Sequence, residues 1–226
     1  EYICPQHEQA GAMAAEAYAR VKKDIGVSLV TVGPGATNAI TGVAGSWMDS
    51  VPHLILSGQS FYRQTIRDTG LRQLGVQEVD IIPMIKSITK YAVTITDPSQ
   101  IKYHLQKAIY LAKSGRPGPV WIELPADMQN AQVEEERLAE FIPPDESFTE
   151  KDLSIKVRQL VEQLKTSQRP ILHVGQGVKI AGVEDFFLKI CEKYRLPFVT
   201  ARNANDIVSS DHELFVGRPG TFAQRG

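Results

Sequence analysis

Two short strings hold side chains that could do chemistry. His7-Glu8-Gln9 stands directly before the apolar helical run Ala10–Tyr18, and Thr31-Val32-Gly33-Pro34-Gly35-Ala36-Thr37-Asn38 leads from an uncharged run through a glycine-proline-glycine bend into small residues. Taken alone, Glu8 is an acid in the first turn of a helix, where it offsets the positive end of the helix dipole by about 0.3–1 kcal/mol. Taken alone, the second string is a tight strand-to-helix connection, with glycines permitting the bend and Pro34 fixing φ. It could also be an anion site built from the first N–H groups of the following helix. No Lys-Ser/Thr follows it as in a P-loop, and the spacing G-x-G-x-x-G is absent.

The elements that must position these strings alternate between short apolar runs and helical patterns, which predicts a parallel α/β sheet. Gln9–Lys23 places Ala10, Met13, Ala14, Ala17, Tyr18 and Val21 on one helical face. Val27–Val32 is rich in β-branched residues and uncharged, suited to a strand buried on both faces. A helix from Gly35 to about Met48 and a strand His53–Ser57 follow. Phe61–Val76 has no period and reads as a loop; Arg63, Arg67 and Arg72 cluster there around Asp68, as on a solvated surface. A strand Tyr91–Ile95, a helix capped by Ser99 and ended before Gly115, and a strand Val120–Leu124 complete the first alternation. Glu134-Glu135-Glu136 and Pro143-Pro144-Asp145-Glu146-Ser147 read as a linker. The alternation then restarts with a helix Leu153–Lys165, a strand Ile171–Val174, a turn Gly175-Gln176-Gly177, a helix Val183–Tyr194 and a strand Pro197–Thr200. Tyr2–Cys4 reads as a strand already inside a sheet, and Gly217–Gly226 stops without a closing element. Both ends suggest a truncated chain.

Composition removes several classes of function. With 25 Lys+Arg against 26 Asp+Glu in 226 residues, the chain lacks the basic excess of a general nucleic-acid binder. Cys4 and Cys191 make no disulfide framework, and no Cys/His set has zinc spacing. No apolar stretch approaches membrane-spanning length and no signal-peptide pattern opens the chain, so a cytoplasmic location is expected.

Together the two strings resemble the thiamine-diphosphate-dependent enzymes of the acetolactate synthase large-subunit type. His7-Glu8-Gln9 with Glu16-Ala17-Tyr18-Ala19-Arg20 is similar to that family's H-E-Q-G-A…A-x-G-Y-A-R segment, with Ala17 where glycine is common. Asp49-Ser50-Val51-Pro52, Ser57-Gly58-Gln59, Gln77-Glu78-Val79-Asp80 and Gly115-Arg116-Pro117-Gly118-Pro119-Val120 extend the match. The resemblance implies a parallel sheet flanked by helices. Residues 1–145 would be an N-terminally truncated pyrimidine-binding domain, and residues 146–226 an incomplete Rossmann-like central domain.

The resemblance also implies roles. The glutamate matching Glu8 hydrogen-bonds N1′ of the cofactor's aminopyrimidine, which lets the 4′-nitrogen take the proton from C2; the thiazolium then serves as electron sink while a 2-oxo acid loses carbon dioxide. For this Glu8 should lie in a dry pocket, where desolvation raises its pKa. Pro34 and Asn38 would approach the thiamine diphosphate, and Gln77 would sit near its substrate end. Arg116 is the candidate FAD contact; relatives with the same string lack flavin, and the reading is against FAD. Mg²⁺ and the diphosphate are held in that family by a Gly-Asp-Gly motif and an Asn of a third domain. No Gly-Asp-Gly occurs here, so the Mg²⁺ ligands are expected outside this chain, no metal ligand is assigned within it, and the isolated chain should be inactive. The family's site lies between subunits, implying a homodimer or homotetramer. The expected function is a 2-oxo acid decarboxylase or carboligase. Val76, where many acetolactate synthases have phenylalanine, and the long loop before Gln77 favour an alternative substrate, as in an acyl-CoA lyase or a carboligase for sugar or polysaccharide precursors. The missing Mg²⁺ motif leaves room for a non-catalytic module of the same fold.

Overall fold

A computed structural model describes residues 2–145 and 150–220. The end of the expected linker, Glu146-Ser147, and residues 221–226 lie outside the described residues. The chain divides into two compact units, Glu1–Pro144 and Asp145–Gly226.

The first unit opens on α1 (Glu8–Lys22), β1 (Gly26–Val30), α2 (Pro34–Met48) and β2 (His53–Gln59). A loop with single 3-10 turns at Tyr62–Gln64 and Arg67–Thr69 leads to α3 (Ile81–Ile85), β3 (Tyr91–Thr94), α4 (Ile101–Lys113), β4 (Pro119–Pro125) and α5 (Ala126–Gln129). All four strands are parallel, in the order β1-β2-β4-β3. Pleating sends Ile55 and Trp121 to one face, under Ala12 of α1, Ala36, Ala39 and Val43 of α2 and Ile81 and Ile85 of α3. It sends Leu54, Val120 and Ile122 to the other, under Ala108 and Ala112 of α4. Each face thus buries a separate apolar layer, the arrangement a parallel sheet requires.

The helices are held by recognisable devices. His7 caps α1, its Nδ1 accepting from the Gln9 N–H at 3.2 Å. Gly115 follows α4 at φ 56°. Where α1 crosses α2 the contact is close enough that a Cβ on Gly42 would lie 2.6 Å from the Ala12 methyl. Arg20 reaches from α1 to Glu16 and to Asp49 at the end of α2. His53 is fully buried between Ser28 of β1 and Ser46 of α2. The Ser46 hydroxyl donates to the Gly42 carbonyl, so Nδ1 of His53 must carry the proton and Nε2 accept from Ser28. Burial pushes the pKa of His53 down to about 4, leaving it a neutral bridge between three elements.

Four expectations are corrected. The expected apolar face of α1, with Ala10, Met13, Ala14, Ala17, Tyr18 and Val21, is exposed, and the helix instead buries Ala12, Ala15 and Ala19, the small residues that permit its close crossing with α2. β1 is buried on one face only: Ser28 and Val30 point inward, while Val27 and Leu29 are exposed. Among the described residues β1 is the edge strand of its sheet, and α4 covers β2, β3 and β4 without reaching it. Tyr2–Cys4 forms no strand, since no described strand pairs with it and Tyr2 and Ile3 are exposed. The cap before α4 is Asp97 rather than Ser99: its carboxylate accepts from the Ser99 N–H at 2.9 Å, starting the 3-10 turn Pro98–Gln100.

The second unit contains α6 (Glu150–Thr166), β5 (Leu172–Val174), α7 (Gly177–Ile180), α8 (Glu184–Tyr194), β6 (Phe198–Thr200) and β7 (Phe215–Gly217), its strands parallel in the order β5-β6-β7. Phe198 is buried between the rings of Phe187 and Phe215, with Cys191 and Val174 beside it. The expected turn at Gly175-Gln176-Gly177 runs directly into the short helix α7. Among the described residues no helix is long and apolar enough to cross a membrane.

The α1–α2 crossing gives a test with a definite sign. Alanine is favoured over glycine in a helix by about 1 kcal/mol, whereas overpacking costs about 1–3 kcal/mol. Gly42→Ala should therefore lower stability by up to about 2 kcal/mol in urea unfolding; a higher midpoint would contradict the close crossing.

Candidate functional site

In a parallel sheet, the ends of adjacent strands deliver loops to one edge of the molecule, where ligands bind. The carboxyl ends of β1, β2, β3 and β4 here deliver the Gly33 turn, Gln59, Thr94 and Glu123 to that edge. The turn after β1 is tightly determined. Gly33 has φ 58° and a Cβ there would lie 1.8 Å from the Gln77 carbonyl oxygen, so only glycine is accommodated. Pro34 is the first residue of α2, where a missing N–H costs nothing. A Cβ on Gly35 would lie 2.5 Å from Thr31 Cγ2 and 3.2 Å from Glu8 Oε1. The first residue of α1 therefore presents its carboxylate to the bend that opens α2.

Around this bend the structure gathers four of the residues that the sequence singles out. Asn38, one turn into α2, donates from Nδ2 to Glu8 Oε2 at 3.0 Å. Pro34 and Asn38 are exposed, and Glu8 is half-buried. Gln77 is exposed on the other side of the Gly33 turn and is itself at φ 58°, a left-handed conformation that is uncommon outside glycine. Arg116 is elsewhere. Its Nε donates to the Ser50 hydroxyl at 2.7 Å, beyond the far end of α2, about 20 Å of helix away from Gly33. There it steadies Ser50, which has φ 58°.

The electrostatics of Glu8 differ from the expectation. The Asn38 amide, then the backbone N–H at the start of α1, hold its carboxyl below the ordinary carboxylate value, and desolvation does too little to reverse them. Glu8 stands here as an anion with one hydrogen-bonded oxygen rather than as an acid in a dry pocket. Its half-exposed position is the cause.

A second carboxyl with the opposite character was not singled out by the sequence reading. Glu123 on β4 is buried, its Oε1 accepting from Gln59 Nε2 at 2.7 Å and its Oε2 from the Thr94 hydroxyl at 2.6 Å. Burial raises its pKa to about 7, helped by the charges of Asp80 and Glu78. Gln59 also donates to the Val79 carbonyl at 3.0 Å, so the chain just after Gln77 is tied to the sheet edge. Glu78, also buried, accepts from three backbone N–H groups: Ile66 on one oxygen, Leu74 and Gly75 on the other. A charged residue inside the apolar run Val120–Leu124 was the available signal for Glu123; Glu78 stood in the matched string Gln77-Glu78-Val79-Asp80, but nothing local marked its bonds to the loop.

Among the described residues no group of three or more His, Cys, Asp and Glu side chains could hold a metal ion. The donor set at the Gly33 turn suits an aminopyrimidine: one carboxylate to meet a ring nitrogen, an exposed amide beside it, and a glycine-lined wall permitting close approach. In the second unit, a Cβ on Gly175 or Gly177 would meet nothing within 4 Å, so packing within the chain does not require these glycines.

The raised pKa of Glu123 makes stability depend on pH in a definite direction. Below pH 4.5 both folded and unfolded chains keep the proton. As pH rises from there to about 7 the unfolded chain loses it first, and stability falls. The loss levels off above pH 7 and amounts to about 3 kcal/mol. Glu123→Gln should flatten this component of unfolding free energy measured between pH 5 and pH 8, and an unaltered pH slope would exclude a neutral buried carboxyl.

Residues 1–87 match the thiamine pyrophosphate enzyme N-terminal TPP binding domain, and residues 157–226 match the thiamine pyrophosphate enzyme central domain. The acetolactate synthase large subunit of Lactococcus lactis is 34% identical over 220 residues, which are 97% of this chain and 37% of that protein. The acetolactate synthase of Arthrospira platensis is 32% identical over 98% of this chain and 38% of its own length. A probable acetolactate synthase large subunit of Methanocaldococcus jannaschii is 32% identical over 97% and 36%. The chain thus spans less than two fifths of the length of these relatives. It belongs to the thiamine-diphosphate-dependent enzyme family and carries that family's N-terminal and central domains.

Proposed function

We propose that this chain is part of a thiamine-diphosphate-dependent 2-oxo acid decarboxylase or carboligase and supplies the residues that activate the cofactor's pyrimidine. The observation that carries the reading is the Glu8 carboxylate set against the Gly33-Pro34-Gly35 bend, hydrogen-bonded to Asn38. Residues 1–145 form the pyrimidine-binding domain and residues 146–226 part of the central domain. When bound, thiamine diphosphate supplies the electron sink that loss of carbon dioxide from a 2-oxo acid needs.

Glu8 holds and returns a proton at N1′ of the pyrimidine. The half-exposed carboxylate is held low by Asn38; Glu8 would favour the acid form that donates to N1′ once a bound pyrimidine excluded water from it. Pro34 and Gly35 give the ring a wall without side chains in its way, and Asn38 keeps the carboxylate oriented. Gln77, across the Gly33 turn, offers its amide to the reacting carbonyl. In this reading the Mg²⁺ and diphosphate ligands come from outside this chain and the isolated chain is inactive; as the family resemblance implies, the working unit is a homodimer or homotetramer with its site between subunits. FAD forms no part of the proposal.

One observation supports a second reading in which cofactor and fold are kept and the substrate changes. Val76, beside Gln77, is 85% exposed. A small aliphatic side chain there leaves room for a bulkier acceptor, as an acyl-CoA lyase or a carboligase for sugar precursors would need. Product analysis with pyruvate decides between them. The holoenzyme containing this chain should release carbon dioxide and form a ligated product, and Glu8→Gln should slow release by about 10²–10⁴-fold. No release from pyruvate would exclude the acetolactate-like reaction.

A further inference from the structure

Gln77 occupies a conformation it would not choose. Its φ is 58°, and its carbonyl packs against Gly33, so its direction depends on neighbours that hold the chain in place. Those neighbours can be traced. On the C-terminal side, Gln59 Nε2 donates to the Val79 carbonyl at 3.0 Å. On the N-terminal side, the Ser60 hydroxyl donates to the Val76 carbonyl at 3.2 Å. Between them in sequence is Glu78, whose side chain bonds into the preceding loop.

Glu78 is 5% exposed, and among the described residues its carboxylate takes its hydrogen bonds from main-chain N–H groups. One oxygen accepts from Ile66, and the other from Leu74 at 2.9 Å and Gly75 at 3.0 Å. Ile66 and Gly75 lie on the two limbs of the loop between β2 and α3, so a single side chain closes that loop on itself. An ionised carboxylate is suited to this, because it accepts on both oxygens and donates nothing. Glutamine would put an amide N–H against a backbone N–H on one limb. Gly75 is itself crowded, since a Cβ there would lie 2.5 Å from Ser60 Oγ. The closed loop therefore packs directly on the residue that holds Val76.

We propose that Glu78 is the positioning residue for Gln77: by closing the Tyr62–Gly75 loop it fixes the left-handed turn at Gln77 and so sets where the Gln77 amide stands relative to the Gly33 bend. The inference rests on the proposed role of Gln77 at the reacting carbonyl, and it concerns how the two-carbon unit left after loss of carbon dioxide is divided between ligation to a second carbonyl and protonation with escape as free aldehyde. A carboxylate acting only as a loop staple for stability would not change that division.

The test has two readouts. In the first, the polypeptide carrying this chain is treated with trypsin, for which Arg63, Arg67 and Arg72 are cleavage points on the loop. Glu78→Gln should speed cleavage at these three by about tenfold, the effect of losing one good hydrogen bond, while other sites keep their rates. In the second, the holoenzyme's ratio of ligated product to free aldehyde is measured for Glu78→Gln, Gln77→Ala and the double variant. Glu78→Gln should shift the ratio in the same direction as Gln77→Ala, and the double variant should go no further than Gln77→Ala alone. Ser60→Ala, which removes one hydrogen bond and no charge, should shift the ratio the same way by a smaller factor and serves if Glu78→Gln does not fold. A shifted ratio in Gln77→Ala with none in a folded Glu78→Gln, or with none in Ser60→Ala where Glu78→Gln does not fold, overturns the inference alone. An unshifted ratio in Gln77→Ala overturns the role of Gln77 and the inference with it.

Discussion

The carbonyl of Gln77 lies against the Cα of Gly33, at a distance no side chain on residue 33 could survive. Both residues have φ 58°, so two locally unfavourable turns are held together by their fit to one another. The rest of the site follows from this contact. It fixes the direction in which α2 leaves the sheet, and therefore the wall that Pro34 and Gly35 present to Glu8. It brings a segment remote in sequence, held by Gln59, Ser60 and Glu78, to the same bend. Were the contact relaxed, Glu8 would face a mobile loop and Gln77 would have no reason to stand opposite it.

The edge of the sheet carries two carboxyls in contrasting states. Glu8 is half-exposed and held below its ordinary range by the Asn38 amide. Glu123 is buried on β4 and shifted up to about 7. Environments that push two like groups apart are the usual means by which one site handles protons in both directions. Here they divide the labour differently. Glu8 faces the open bend, where a bound ring can change its exposure. Glu123 is enclosed by Gln59 and Thr94 and braces the strand ends, its pKa recording the cost of burying a charge near Glu78 and Asp80.

Much of this organisation was legible in the sequence because it is local. The alternation of apolar runs with helical periods specifies parallel strands and their helices, and Gly33-Pro34-Gly35 is a turn for reasons that glycine and proline carry with them. His7-Glu8-Gln9 could be placed at a helix start on the same terms. Most of what failed was non-local. Whether β1 is covered on both faces depends on how far α4 extends across the sheet, which β1 does not encode. Whether Glu8 is dry depends on what stands over it, and the Asn38 bond that lowers its pKa joins two helices. Asp97 displaced Ser99 as a cap because either residue can serve, and the 3-10 turn at Pro98 decides between them. Glu78 was invisible as a loop clamp, since its three partners are backbone N–H groups that carry no side-chain signature.

The central claim is that Glu8 exchanges a proton with N1′ of thiamine diphosphate and thereby labilises the hydrogen at C2. Proton–deuterium exchange at C2 of the cofactor, followed by NMR in the holoenzyme without substrate, isolates that event from every later step. The account predicts exchange slower by about 10²-fold or more in Glu8→Gln, with cofactor binding retained. Equal exchange rates in the two proteins would contradict it.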